Sequence, residues 1–386
     1  MPISSFVPTP SSTWLAPSST VLERPLDPAL RSSIPIVLPP LRQSSVSAST
    51  FKNYSDQLRY FLVWLKHNGI SPTSAADIDA AFEAFLHGFF AARNGRGLAL
   101  ARNALCGLCL VFPHLNSSMP LSRRAIKGWE KLCPSSSHPP LSWSLTCLLA
   151  VHLVSSTPDL ALGVSCAVGM LLAWDAYLRV GELCSLRVCD LQFNDVGALF
   201  KTSIPAIGSR SSSSAPKRLR PFAAQPVLAS LHLQSTKTGP NQWAQVRSPL
   251  VVFILHHFML FRLSVGWSSA RSSKLFPFST DVFRKEMARV RASLGLAPEF
   301  TPHSLRHGHA TADYEAGATV QDIAVRGRWR TLESLLIYVQ SGPALAVRFR
   351  PPPAVASLAT SVSDHFCPVF VQALLSRVGA SAPSKR

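Results

Sequence analysis

Acidic residues are scarce in this sequence. Twenty Asp and Glu stand against 38 Lys and Arg in 386 residues, a formal net charge of +18. Charged residues of all kinds make up only 15%. This argues against an acidic solvating chain and against an enzyme surface of mixed charge. An excess of one sign asks for a polyanionic partner, either nucleic acid or an anionic membrane surface. Long apolar runs are missing too. The longest uncharged one, Leu160–Trp174, has 15 residues and lies between Asp159 and Asp175. A membrane span needs roughly 20, so the membrane reading weakens. No basic segment followed by an apolar one opens the chain, so no signal peptide is expected. Eight Cys do not make a disulfide scaffold. Cys147, Cys166 and Cys184 sit in apolar stretches, as buried thiols in a reducing, intracellular compartment would. The pair Cys106 and Cys109 lacks a second pair to complete a zinc site and reads as core packing.

The first 50 residues hold 12 Ser and 9 Pro. Too little apolar surface is present to offset the entropy of ordering, so residues 1–49 read as a disordered leader. Residues 50–132 read as a small helical domain. Phe51, Tyr54, Leu58, Phe61, Leu62 and Leu65 recur at helical spacing, and three further stripes follow. Residues 133–140 form a Ser/Pro/His linker. A second domain, 141–345, is helical again at first. A strand is expected over 191–201, an irregular insertion over 203–226 and a hairpin of strands 227–238 and 242–246 around Thr238-Gly239-Pro240-Asn241. Helices resume after residue 250, and two short ones are expected over 319–325 and 331–339. A tail, 346–386, carries an apolar stripe at Phe366, Val369, Phe370, Ala373 and Leu374.

Charge is unevenly spread. Between Val196 and Thr280 there is no Asp or Glu, yet ten Lys and Arg. With no local acid to pair with, they suggest a phosphate-binding surface. Lys201, Lys217, Arg218, Arg220 and Arg247 are its candidate contacts, and Arg123, Arg124 and Lys127 those of the first domain.

Four short strings remain. Thr301-Pro302-His303-Ser304-Leu305-Arg306-His307 starts a helix, with His303 and Arg306 three apart in the first turn, where anions are favoured. In Leu178-Arg179-Val180-Gly181-Glu182-Leu183, Glu182 can orient the Arg179 guanidinium. Lys237 lies at the hairpin tip, in Ser235-Thr236-Lys237-Thr238-Gly239. Gly327-Arg328-Trp329-Arg330 precedes Tyr338. His303 and His307 have the spacing of a zinc pair, but the Glu of H-E-x-x-H is absent. Each string alone has a bland reading: a helix-end ion pair, a turn lysine, a core tyrosine.

In this order and spacing the strings resemble the signature boxes of the tyrosine recombinases, the phage integrase family. Trp329 in place of the second His resembles the Cre-like variant. The resemblance covers residues 141–340. It implies a mainly α fold with a small antiparallel β-sheet: a helical core-binding (SAM-like) domain plus a tyrosine recombinase catalytic domain, closing as a clamp on double-stranded DNA. It implies that Tyr338 attacks the scissile phosphate to give a 3′-phosphotyrosine, with neither cofactor nor metal. Arg179 and Arg306 would bind the non-bridging oxygens, joined by the Trp329 indole N–H. His303 would manage the tyrosine proton, and Lys237 would protonate the leaving oxygen. His307 and His309 would be structural. The tail stripe would dock on a neighbouring subunit in a tetramer on two DNA sites, or else on its own domain. A mobile-element recombinase, located in the nucleus if the cell is eukaryotic, is the leading expectation. A type IB topoisomerase-like enzyme and an inactive DNA-binding relic are the alternatives.

Overall fold

The computed structural model describes residues 34–134, 138–194, 228–236 and 239–380, with side chains to Leu374. The expectations for residues 1–33, for the strand beyond Asn194 and for the insertion lie outside these residues. The chain divides into two compact units, Met1–Ser136 and Ser137–Arg386.

The first unit holds α1 (Ala48–His67), α2 (Ala75–Ala92), α3 (Leu98–Val111) and α4 (Pro120–Leu132). Side-chain caps set their starts. The Ser47 hydroxyl accepts the Thr50 N–H at 3.2 Å, and Ser74 and Asp77 cap α2 reciprocally. The core is aromatic. Phe61 meets Phe82 edge-on at 4.8 Å, and Phe85 stacks on Phe89 at 5.4 Å. One acid is buried among them. Asp79 of α2 accepts the Leu121 and Ser122 N–H groups, both at 2.9 Å. It thereby caps α4 from a neighbouring helix.

Two expectations are corrected here. Residues 34–38, read as part of a disordered leader, pack on this unit. Leu38 is buried, Ile36 lies against the aromatic core, and the Ile34 carbonyl accepts from Arg59 Nε at 2.9 Å. The alternation Ile34, Ile36, Leu38 supplies one apolar face that the Ser/Pro content concealed. Cys106 is exposed rather than core, because α3 turns Ala101, Ala104, Leu105 and Leu108 inward.

In the second unit, α5 (Trp143–Ser156) and α6 (Leu160–Asp175) form the central pair. Asp159 caps α6 through the Ala161 and Leu162 N–H groups. After α7 (Val180–Ser185) comes a three-stranded antiparallel sheet in the order β1 (Leu191–Phe193), β2 (Ala229–Thr236), β3 (Gly239–Val246). Leu191 pairs with Leu231, and Ala229 with Val246. Ala229, Leu231 and Leu233 point into the core at the period of two that a half-buried strand requires. Then follow α8 (Pro249–Ser264), α9 (Thr280–Ser293), α10 (Pro302–Glu315), α11 (Val320–Gly327), α12 (Leu332–Arg348), α13 (Pro353–Asp364) and α14 (Phe366–Ala380). The fold is therefore mainly α with one small antiparallel sheet. No single helix among the described residues is long and apolar enough to cross a membrane.

Two further differences from the sequence reading have physical causes, and the tail takes one of its two expected places. The helix expected to stop at Val339 runs on to Arg348, through Pro343. Proline removes one helical hydrogen bond, so packing must sustain the continuation. Gly342 sits so close to α10 that an added Cβ would lie 2.5 Å from Thr311 Oγ1. The tail stripe packs within its own unit: Phe366, Phe370 and Ala373 are buried in the core that α5 and α6 build. Finally, Arg262, one of the ten basic residues of the acid-free stretch, is buried. It donates to the Leu275 carbonyl and, at 3.2 Å, to that of Ser268. It holds a loop and presents no charge to solvent.

Candidate active site

The site is assembled from three places in the second unit: the turn between α6 and α7, the first turns of α10, and the α11–α12 junction. The Ser304 hydroxyl accepts the Thr301 N–H at 3.1 Å at the start of α10, with Pro302 at its first position. This start fixes His303 in the first turn and Arg306 one turn later. Thr331 caps α12 by accepting the Ser334 N–H, and Tyr338 follows in its second turn.

His303 Nε2 lies 2.8 Å from the Tyr338 hydroxyl. Burial raises the Tyr338 pKa above 10, while the fields of Arg306 and Arg179 pull it down. The phenol is thus protonated at neutral pH, with a proton acceptor and two cations around it. Arg306 is buried and donates from NH1 to the Tyr177 carbonyl at 2.6 Å and from NH2 to the Gly327 carbonyl. Burial, with Arg179 and Arg328 beside it, pushes its pKa down to about 9, which leaves it charged at neutral pH.

The Arg306 guanidinium lies over the Trp329 ring, with Cζ 4.1 Å from the ring centre. Trp329 meets Tyr338 edge-on at 5.6 Å. Gly327 permits this, because an added Cβ would come 1.6 Å from the Trp329 ring. Arg179 donates from NH1 to Glu182 Oε1 at 2.6 Å, and its backbone N–H donates to Oε2 at 2.9 Å. Burial disfavours the Glu182 charge, but Arg328 and Arg179 hold its pKa below the usual carboxylate value.

Arg179, Glu182, His303, Arg306, Trp329 and Tyr338 therefore come together. Lys237 lies between the described ends of β2 and β3, outside the described residues, as do Lys201, Lys217, Arg218 and Arg220. Arg124 and Lys127 are exposed on α4. Arg123, also exposed, is tied to the Asn116 carbonyl at 2.7 Å. Arg247 differs from a surface phosphate contact. It is half-buried, donates to Gln245 Oε1 at 2.7 Å, and lines an open pocket of about 360 Å³ beside Asp175 and Asp313.

Sequence reasoning passed over several supporting residues. Arg328 donates to Glu182 at 3.0 Å and to the Tyr177 carbonyl at 3.1 Å. Behind Tyr177, Asp313 accepts its hydroxyl proton and also accepts from Arg326 at 2.8 Å. His309, which the sequence did mark as structural, stacks between Trp174 and Tyr177, 4.0 and 4.5 Å between ring centres. His307, expected to be structural, lies tilted by 40° against Tyr338 with ring centres 3.8 Å apart. Burial, with His303, His138 and Arg306 nearby, drops its pKa to about 2, so it is neutral. The one sequence signal for this shell was the density of basic residues in Arg326-Gly327-Arg328-Trp329-Arg330. Among the described residues, no group of three or more His, Cys, Asp or Glu is arranged to hold a metal ion.

Residues 153–344 match the phage integrase family. The tyrosine recombinase XerC of Rhodospirillum centenum is 39% identical over 66 residues, 16% of this chain and 19% of that protein. Brucella suis XerC is 43% identical over 51 residues, 13% of this chain and 16% of that protein. The chain thus spans less than a fifth of the length of these curated relatives. A crystal structure of the XerH site-specific recombinase, bound to palindromic difH substrate in a post-cleavage complex, shares the fold. Its TM-score is 0.51 at 12% identity, covering 78% of this chain and 79% of that one.

Proposed function

Because the chain belongs, through residues 153–344, to the phage integrase family, we propose that it is a site-specific DNA recombinase acting through a 3′-phosphotyrosine intermediate. The observation that carries the reading is the Tyr338 hydroxyl bonded to His303 beside two guanidiniums. A phenol at neutral pH is a poor nucleophile, and this setting answers both needs: an acceptor for its proton and positive charge at the phosphate.

The Tyr338 oxygen attacks phosphorus, the 5′ oxygen leaves, and the proton of the phenol passes to His303. Arg179 and Arg306 neutralise charge on the non-bridging oxygens. Each guanidinium has five N–H donors, so those engaged by protein acceptors leave others for phosphate. Trp329 covers Arg306 and keeps water from it. Lys237 is the proposed proton donor to the leaving oxygen. The phosphotyrosine retains the bond energy, so a second strand can be joined without ATP. Double-stranded DNA is the partner, bound through phosphate contacts that include Arg124 and Lys127, by a homo-oligomer on two sites. A mobile genetic element is the proposed origin. In a eukaryotic cell, such a partner puts the protein in the nucleus.

The test is covalent capture. A library of random-sequence duplexes, each carrying a nick that lets the 5′ product diffuse away, is incubated with wild type and Tyr338→Phe. The expected result is a denaturant-resistant protein–DNA adduct with wild type alone. Relaxation of any supercoiled plasmid without strand exchange would instead support a topoisomerase.

A further inference from the structure

Among the described residues, four non-glycine residues adopt positive φ: Asn94, Tyr177, Asn241 and Arg328. Two of these, Tyr177 at 54° and Arg328 at 58°, meet in the candidate site. Neither is the Asn or Gly that usually occupies such a conformation. They are bonded to each other, from Arg328 NH2 to the Tyr177 carbonyl at 3.1 Å. Arg328 terminates α11, where glycine is the common choice. An arginine there keeps a backbone cost that glycine would remove, so its side chain must offset that cost.

The side chain reaches two anchors. The first is Glu182 Oε2, 3.0 Å away, in an ion pair whose partners are only 7% and 4% exposed. Glu182 is also the carboxylate that holds the Arg179 guanidinium at 2.6 Å. The second anchor is the Tyr177 carbonyl, which also accepts from Arg306 NH1 at 2.6 Å. One guanidinium therefore fixes both acceptors on which Arg179 and Arg306 depend. A further bond, to the Ala176 carbonyl at 3.3 Å, ties it to the same turn.

We infer that Arg328 is a positioning residue that sets the separation and orientation of Arg179 and Arg306 for a single phosphate. This rests on the strand-transfer reading of the site. The fork shape of arginine is essential to the role. NH2 donates to both the Glu182 carboxylate and the Tyr177 carbonyl while NH1 reaches the Ala176 carbonyl, and an ammonium, with all its donors on one nitrogen, cannot hold all three.

The test uses the full-length chain and a nicked duplex captured by wild type from the random library. Cleavage is followed in single turnovers at saturating DNA, beside DNA affinity and thermal melting. Arg328→Gly relaxes the backbone, so its melting temperature should stay within a few degrees of wild type. Its cleavage rate should fall at least 100-fold, with the dissociation constant for DNA changed less than threefold. Arg328→Lys keeps charge and length and should still lose at least tenfold in rate. If Arg328→Gly melts early, the Lys variant decides, since it preserves the buried charge. Cleavage by Arg328→Lys and Arg328→Gly within threefold of wild type overturns the inference, as does a rate loss that saturating DNA restores. A wild-type protein that forms no adduct at all overturns the strand-transfer reading and, with it, this inference. Adducts formed equally by wild type and both variants overturn the inference alone.

Discussion

Burial and the neighbouring His303, His138 and Arg306 hold His307 neutral, and this has a measurable cost in acid. The unfolded chain binds a proton at His307 near pH 6.5, whereas the folded site takes one only near pH 2. Across that window the unfolded state carries more protons, so stability falls as pH falls. The slope from this residue is about 1.4 kcal/mol per pH unit. His307→Gln should flatten the acid limb by that amount in urea midpoints measured from pH 7 to 4. Parallel curves for wild type and variant would contradict the assignment. Asp313 works in the opposite sense. Burial opposes its charge, but His309, Arg326 and Tyr177 outweigh that and hold its pKa below the usual value. Its contribution is present above the unfolded carboxylate pKa and is lost as pH falls through the folded one. Asp313→Asn should therefore destabilise clearly at pH 7 and progressively less as pH falls below the unfolded carboxylate pKa, as read from the same denaturation curves.

Helices were the most legible elements, because apolar residues recur at helical spacing in nearly all of them and polar caps mark their starts. The α10 start was readable from Thr301-Pro302 alone. The α12 end was not, because Ser341-Gly342-Pro343 carries the local signature of a stop, and the helix is sustained by tertiary contact that no local rule sees. Two substitutions separate those influences. Pro343→Ala restores a hydrogen bond and should stabilise by about 1–3 kcal/mol. Gly342→Ala improves helix propensity, yet its Cβ would meet Thr311 at 2.5 Å, so it should destabilise by about 1–3 kcal/mol. Thermal melting of the two variants, compared with wild type, should give shifts of opposite sign. The last tail helix was visible as an apolar stripe, whereas α13 was not read, and a stripe says only that it is covered. That α13 and α14 are buried on their own unit became known from the fold. Among the site elements, the four strings were legible because spacing along the chain carries them. Arg328, Asp313 and Arg326 were not, because their partners lie 146, 136 and 151 positions away for Glu182, Tyr177 and Asp175.

The whole molecule carries a net charge of +18, but not all of it faces a partner. Arg262, Arg306 and Arg326 are buried, and each serves loop, site or scaffold. The exposed remainder should still give DNA binding a steep salt dependence. With six or more phosphates neutralised, affinity should drop about 1,000-fold or more between 50 and 200 mM salt. Filter binding to a random-sequence duplex across that range tests it, and a drop of less than tenfold would show that few phosphates are contacted. Electrostatics of this kind holds any DNA, whereas the chemistry is assigned to one side chain. The most direct measurement is peptide mapping of the covalent adduct. Trypsin should release residues 331–348 from the adduct as one peptide, in which Tyr338 is the only tyrosine. The account predicts that this peptide, sequenced by mass spectrometry after nuclease trimming, carries a nucleotide 3′-phosphate on Tyr338. A nucleotide on any other residue, or an unmodified 331–348 peptide from purified adduct, would contradict it.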